Sequence, residues 1–368
     1  MASEITGGKL KSIVSNFEIG VEVDDVKPLE GGLINTTYKV TTKSGGKDYI
    51  LQKKNSEIFK DVPGMMANII KVTSHLKTKL AEEGGDPCSE SMTVIFTKEG
   101  LPYYKSENGE FWVLSLFIPD TIQFDGPLTC ETAFKGGEGI GKFHKQMSDF
   151  NNPLAETLPG FHDLGYRLRQ WDATLAADKA ARVSEVRNEI EWVEKRRSRM
   201  SSFWKLIEEG IIPKRVVHND TKISNLLFNN KKEMQCVIDL DTVMSNTLLA
   251  DFGDAIRTFT NNGKEDDTNL ENVSLNLDIF TAYTDGYLSR MKSILTDSEK
   301  ENLAFGALYI TFEQVIRFLM DYIDGDIYYK TLYPSHNLVR TRAQMKLLVS
   351  MEDNYEKMNQ IVRLFLKD

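Results

Sequence analysis

The 368-residue chain reads as an α+β protein in two parts, a small N-terminal antiparallel sheet with one long helix and a larger, mostly helical C-terminal part. Three observations predict this. Between residues 21 and 118 short runs rich in β-branched residues alternate with turn residues, and one segment of helical period interrupts them. Beyond Thr129 apolar residues recur at helical spacing almost throughout. The length suffices for two domains, and 41% hydrophobic against 27% charged residues gives an ordinary globular composition with ample core material.

In chain order, a leading helix is expected over 9–18, with Leu10, Ile13, Val14 and Phe17 on one face. Strands follow at 21–30 and 34–42, broken by Gly31-Gly32, and the turn 43–47 leads to a third from Tyr49. Three strands with a Gly-Gly in the first connection suit a sheet that covers a nucleotide, although most such pairs are only turns. The helix at 62–80 takes Pro63 in its first turn. Strands at 92–96 and 111–118 bring the sheet to five. Residues 119–127 read as an exit hinge, so the expected organisation is 1–118 for the sheet lobe and 128–368 for the helical lobe. Helices are predicted at 131–150, 163–181, 183–209, 272–295, 297–324 and 336–366, with a short one after Leu249 and a polar surface loop at 261–269.

A net charge of −9 and a pI near 5.3 argue against a surface built to track nucleic acid phosphates. No uninterrupted apolar run reaches the roughly eighteen residues of a membrane span, and the first residues lack the pattern of a secretory leader. Cys88, Cys130 and Cys236 are too scattered for a metal site and read as reduced thiols. A cytoplasmic protein is expected, monomeric or homodimeric.

The chemistry concentrates in residues 214–241, KRVVHNDTKISNLLFNNKKEMQCVIDLD. His218, Asp220, Lys222 and Asn225 occupy a polar loop, in the order His-x-Asp-x-x-x-x-Asn. Phosphoryl transfer to a hydroxyl asks for these types: Asp220 to receive the hydroxyl proton, Lys222 to meet the phosphate, Asn225 to hold Mg2+. Asp239 and Asp241 end the next apolar strand; residues two apart share a strand face, and two hard oxygen donors beside an amide suit Mg2+. A lone His-x-Asp is usually structural, but the whole set is hard to assemble by chance. A literal Asp251-Phe252-Gly253 mimics the magnesium motif of protein kinases, yet it lies outside any strand. Asp251 is expected instead to cap a helix or to fix the catalytic loop through His218. His144 reads as a core histidine, and His162 as a helix-entry residue more than a substrate contact.

With these residues the chain resembles the aminoglycoside phosphotransferase and choline kinase superfamily. INTTY at 34–38, YILQ at 49–52, HNDTK at 218–222, IDLDT at 238–242, DFGD at 251–254, GDIY at 325–328 and YPSHNLVRTR at 333–342 are similar to the N-acetylhexosamine 1-kinases within it. The resemblance implies a two-lobed, protein-kinase-like fold and transfer of the ATP γ-phosphate to the anomeric hydroxyl of N-acetylglucosamine or N-acetylgalactosamine. Carried over, Asp220 is the base, His218 and Lys222 act beside it, and Asn225 and Asp239 bind Mg2+, with Asp241 adjoining. Nucleotide binding is expected at Gly31, Gly32, Asn35, Thr37 and Gln52, with adenine against the backbone near Leu116 and Ile118. Leu33, Asn219, Arg317 and Tyr328 are expected on the acceptor side, Arg317 serving either there or in an ion pair with Glu313. Two departures stand out. Gln52, followed by Lys53 and Lys54, takes the place of the usual third-strand cation, and Leu33 stands where a His is expected. The alternatives are therefore a kinase of the same fold for choline, ethanolamine, an aminoglycoside or another sugar, and a pseudokinase that binds nucleotide without transfer.

Overall fold

A computed structural model describes residues 7–29, 34–43, 45–124, 126 and 128–367. The chain divides into two compact units. The first comprises Met1–Thr121, Phe150–Leu158 and Gln235–Met244, and the second Ile122–Asp149, Pro159–Met234 and Ser245–Asp368.

The first unit is built on an antiparallel sheet. Helix α1 (Gly7–Val14) precedes strands β1 (Val23–Leu29), β2 (Thr36–Thr42) and β3 (Tyr49–Lys54). Helix α2 (Val62–Glu82) follows, then β4 (Val94–Ile95), β5 (Tyr104–Lys105) and β6 (Phe111–Leu116). The order across the sheet is β1-β2-β3-β6-β4, with β5 also on β6, so six strands form where five were expected. The extra strand owes its place to a turn: Gly109, at φ +80°, bonds back to Ser106 and folds Tyr104–Lys105 onto Phe111–Trp112. Two residues are too few to show a period. An eight-residue helix such as α1 is unstable alone in water. Burial of Leu10, Ile13 and Val14, with Phe17 just beyond, against Val40, Leu51, Trp112 and Leu114 holds it, at about 1.5–3 kcal/mol for each side chain. Helix α2 starts as its sequence predicts, with Pro63 in the first turn and Asp61 accepting from the Gly64 N–H. Its buried Asn68 bonds both backbone groups of Ala155 and the Val243 carbonyl. That one amide joins both distant segments to the unit.

The second unit is helical: α3 (Cys130–Gln146), α4 (Leu164–Ala177), α5 (Arg187–Glu208), α6 (Leu248–Phe259), α7 (Leu277–Met291), α8 (Asp297–Asp324), α9 (His336–Asp353) and α10 (Tyr355–Leu366). The helix expected over 336–366 is two helices, because Asn354 leaves helical geometry at φ −105°, ψ 7°. Glycines set the packing. A Cβ on Gly137 would lie 2.2 Å from the Tyr283 carbonyl oxygen, and one on Gly286 2.0 Å from that of Phe134, so α3 and α7 touch backbone to backbone. Gly253 and Gly306 do the same for α6 and α8. Helix α8 opens with a capping box between Thr296 and Glu299 and stops at Gly325, φ +103°. By length and composition it could cross a bilayer, but 94% of its most apolar stretch is buried in the protein, so core packing accounts for its apolarity. Among the described residues the three cysteines form no disulfide.

Candidate active site

In the second unit the predicted loop runs from the strand Arg215–Val217 through a 3-10 turn at Ile223–Asn225 into the strand Leu226–Asn229. Asp251, in the first turn of α6, organises it. Its Oδ2 accepts from the His218 N–H (2.7 Å) and from His144 Nε2 (2.8 Å), and its Oδ1 from the Asn219 N–H (2.7 Å). Its backbone carbonyl takes the Thr221 hydroxyl at 2.6 Å. Burial would raise the Asp251 carboxyl, but the hydrogen bond and charge of His144, then His218, hold it below the usual range. Thr247 is the cap of α6, so of the two roles expected for Asp251 the structure shows the loop anchor. His144 is a core histidine, also bonded to the Tyr287 hydroxyl. Phe252 completes the false motif by packing edge-on against Phe280, Tyr283 and Tyr287.

Asp220 projects from this frame with its side chain about 30% exposed. Lys222 Nζ lies 2.7 Å from Oδ2, and the Asn225 amide nitrogen bonds both Oδ2 (2.9 Å) and the Asp220 carbonyl (2.8 Å). Burial opposes ionisation, but Lys222, by charge and hydrogen bond, then His218 and Asn225, hold the carboxyl below its usual pKa. Asp220 is therefore a carboxylate at neutral pH, able to accept a proton. The Asn225 amide nitrogen is thus committed to Asp220. Two expectations are corrected. His218 is fully buried and its Nδ1 accepts from the Asp220 N–H, so it positions the loop and does not touch reactants. Asn219, expected to contact the acceptor, is 2% exposed at φ +65°, with its N–H on Asp251 and its carbonyl on His162; it shapes the loop.

Helix α8 carries Arg317. Its guanidinium bonds Gln314 at 3.2 Å and lies 5.3, 5.9 and 5.5 Å from the rings of Phe161, Tyr328 and Tyr329. The alternative of an ion pair with Glu313 is not taken up, since Glu313 pairs with His162 and Arg167 instead. Tyr328 is brought to Arg317 by Asp321, whose carboxylate accepts from the N–H groups of Ile327, Tyr328 and Tyr329.

In the first unit, alternation along β3 puts Tyr49 and Leu51 on the core face and Gln52 and Lys54 on the other. There Gln52 bonds Thr37, and all three ammonium protons of Lys54 find acceptors: Gln52 Oε1 (2.7 Å) and Asp241 Oδ1 (2.8 Å) and Oδ2 (2.7 Å). Asn35 adds a bond to Asp241 Oδ2 at 2.7 Å. Asn35, Thr37, Gln52 and Asp241 thus come together as predicted residues, around a lysine whose part the sequence left open. Lys53 points to the other face, towards Glu110. Lys54, two residues beyond Gln52 on the same strand face, is thus the lysine of β3 that pairs with a buried carboxylate. Both oxygens of Asp241 accept from Lys54, so the carboxylate is the lysine's counter-ion. Asp239 and Asp241 do not share a strand face: the strand Met234–Val237 ends before them, Asp239 is left-handed (φ 60°, ψ 53°), and Asp241 sits in a 3-10 turn. The N–H groups of Leu116 and Phe117 bond Thr93 and Asp48, and the Ile118 carbonyl takes the Thr121 hydroxyl. The nucleotide residues Gly31 and Gly32 and the acceptor residue Leu33 lie outside the described residues.

Among the described residues no group of three or more His, Cys, Asp or Glu could hold a metal.

The profile of the phosphotransferase enzyme family matches residues 25–290, and the chain belongs to that family. It is an ATP-dependent phosphotransferase acting on an alcohol, a small-molecule kinase. Among solved structures it is similar to a microcompartment-associated aminopropanol kinase, at 14% identity over 96% of this chain and 98% of that one, with TM-score 0.61. A spectinomycin phosphotransferase in complex with ADP and spectinomycin matches at 15% identity over 96% and 100%, TM-score 0.60. Choline kinase LicA from Streptococcus pneumoniae matches at 15% identity over 93% and 98%, TM-score 0.52. At these identities the likeness carries the fold, the expected kinase-like α+β architecture.

Proposed function

We propose that the chain transfers the γ-phosphate of ATP to the anomeric hydroxyl of an N-acetylhexosamine, giving the sugar 1-phosphate. The observation that carries this reading is the environment of Arg317. A guanidinium framed by Phe161, Tyr328, Tyr329 and Gln314 offers N–H donors and aromatic faces, which suit a neutral sugar with an acetamido carbonyl. Cationic acceptors of the choline, ethanolamine or aminopropanol kind ask for carboxylates or an uncharged aromatic cage, and a fixed positive charge repels them. Asp220 accepts the proton of the attacking hydroxyl while its oxygen bonds to the γ-phosphorus and ADP leaves. Lys222 is proposed to meet the phosphates, and Asn225 to supply a hard oxygen donor for Mg2+. When bound, that ion neutralises phosphate charge.

An ADP-release assay with Mg2+ over N-acetylhexosamines, plain hexoses and amino alcohols tests this. Turnover is expected with N-acetylglucosamine or N-acetylgalactosamine, with the product phosphorylated at the anomeric carbon; turnover confined to the amino alcohols would sink the proposal. Asp220→Asn is expected to lower kcat by roughly two to four orders of magnitude with the fold intact by circular dichroism.

A further inference from the structure

His162 precedes α4 in the left-handed region, φ +55°, and is buried. Its Nδ1 lies 2.6 Å from Glu313 Oε2 and its Nε2 3.0 Å from the Asn219 carbonyl oxygen. Both partners are acceptors. A neutral imidazole has one N–H and one lone pair, so it would satisfy one partner and set a lone pair against the other; only the doubly protonated ring donates to both. Glu313 is equipped to balance that charge. Burial pushes its carboxyl up, but His162, by charge and hydrogen bond, then Arg167 and Arg317, bring it down to about 2.

The Asn219 carbonyl belongs to the same peptide plane as the Asp220 N–H, which bonds His218 Nδ1 at 3.2 Å. One edge of that plane is thus held by His218 and the other by His162, while Asp251 holds the preceding N–H. We propose that His162 is a positioning residue for phosphoryl transfer, an imidazolium that ties the Asn219 carbonyl of the catalytic loop to Glu313 of α8 and so fixes the direction of Asp220. This rests on the reading of Asp220 as the base.

The groups facing His162 set its pH behaviour. Glu313 and Arg317 face it from α8, where Tyr309 also donates to its carbonyl at 2.6 Å; Arg167 stands on α4 behind Glu313, Asp163 follows it in sequence, and the loop offers the Asn219 carbonyl. Burial works against the charged ring and Arg317 adds to this, yet Glu313 and the Asn219 carbonyl raise the pKa above the ordinary histidine value. The second proton is therefore held to higher pH than an ordinary histidine holds it, and turnover is expected to fall as pH rises through that transition.

Nitrogen-15 NMR of histidine-labelled protein reads the ring without reference to turnover. Wild type at pH 7.5 is expected to show a signal from a histidine with protons on both nitrogens that is absent from His162→Gln. In kinetics, His162→Phe is expected to lower kcat roughly 100-fold, the cost of a small misplacement near the reacting centre, with both KM values little changed. His162→Gln, which retains a donor for one partner, is expected to recover part of it. Glu313→Gln can offer Nδ1 either a donor or an acceptor, so a singly protonated ring satisfies Asn219 and the alkaline fall in kcat should disappear. A neutral His162 at pH 7.5, or an alkaline limb identical in wild type and Glu313→Gln, would overturn the proposal. An active Asp220→Asn variant would instead remove the base assignment, while the NMR result reports on the clamp by itself.

Discussion

Lys54 and Asp241 show how much rests on one side chain. The side chains are 2% and 6% exposed, so the charges are paired where solvent screens little. Removing one partner of such a pair leaves an uncompensated buried charge and costs about 3–5 kcal/mol, whereas replacing both with apolar groups is often nearly neutral. Lys54→Met is therefore expected to lower stability by about that amount, and Lys54→Met combined with Asp241→Leu to recover most of it in urea titrations. Turnover separates the roles: if Lys54 also meets the phosphates, both variants stay at least roughly 100-fold below wild type. Recovery of activity together with stability would show the lysine to be structural only. Arg317 is tested on the acceptor side. Arg317→Leu removes the donors but leaves the rings, so the acceptor KM is expected to rise roughly 10- to 100-fold while the KM for ATP is unchanged, the loss of one or two charge-assisted hydrogen bonds.

At the level of elements, α6 joins core and chemistry. Its Asp251 holds the catalytic loop, its Phe252 fills the cluster with α7, and its Gly253 lets the helix reach α8, where a Cβ would sit 2.2 Å from the Gly306 carbonyl oxygen. That oxygen is backbone and cannot swing aside. Gly253→Ala must therefore push α6 away from α8, at a cost of about 1–3 kcal/mol as overpacking generally exacts. The loop anchored by Asp251 moves with the helix. A lowered Tm together with a lowered kcat is expected, whereas a loss of stability alone would show that α6 shifts without disturbing its first turn. The three residues that imitate a magnesium motif thus owe their order to helix packing. Sequence reasoning could set the motif aside by its place in the chain, but the glycine's reason needed the neighbouring helix.

Across the whole molecule, what the sequence made legible was local. His218, Asp220, Lys222 and Asn225 lie within eight residues, and their order names the chemistry. Groups brought together from afar stayed hidden. Lys54 and Asp241 are 187 residues apart and His162 and Glu313 are 151, so no spacing rule links them. For the same reason Phe150–Leu158 and Gln235–Met244 could not be seen to belong with the sheet. These distant pairs also govern how stability depends on pH. Glu313 falls from 4.5 to about 2 on folding, so its contribution is fully present above about pH 4.5 and is lost as pH falls towards 2. His162 is raised above 6.5, so its contribution is present below that value and is lost as pH rises through its folded pKa. The pair therefore stabilises most between about pH 4.5 and 6.5. Urea midpoints measured from pH 3 to 9 are expected to decline on both sides of this window, and Glu313→Gln, which abolishes both shifts, to flatten the profile. A variant profile parallel to wild type at every pH would mean that other carboxylates, Asp251 and Asp220 first among them, carry the acid limb.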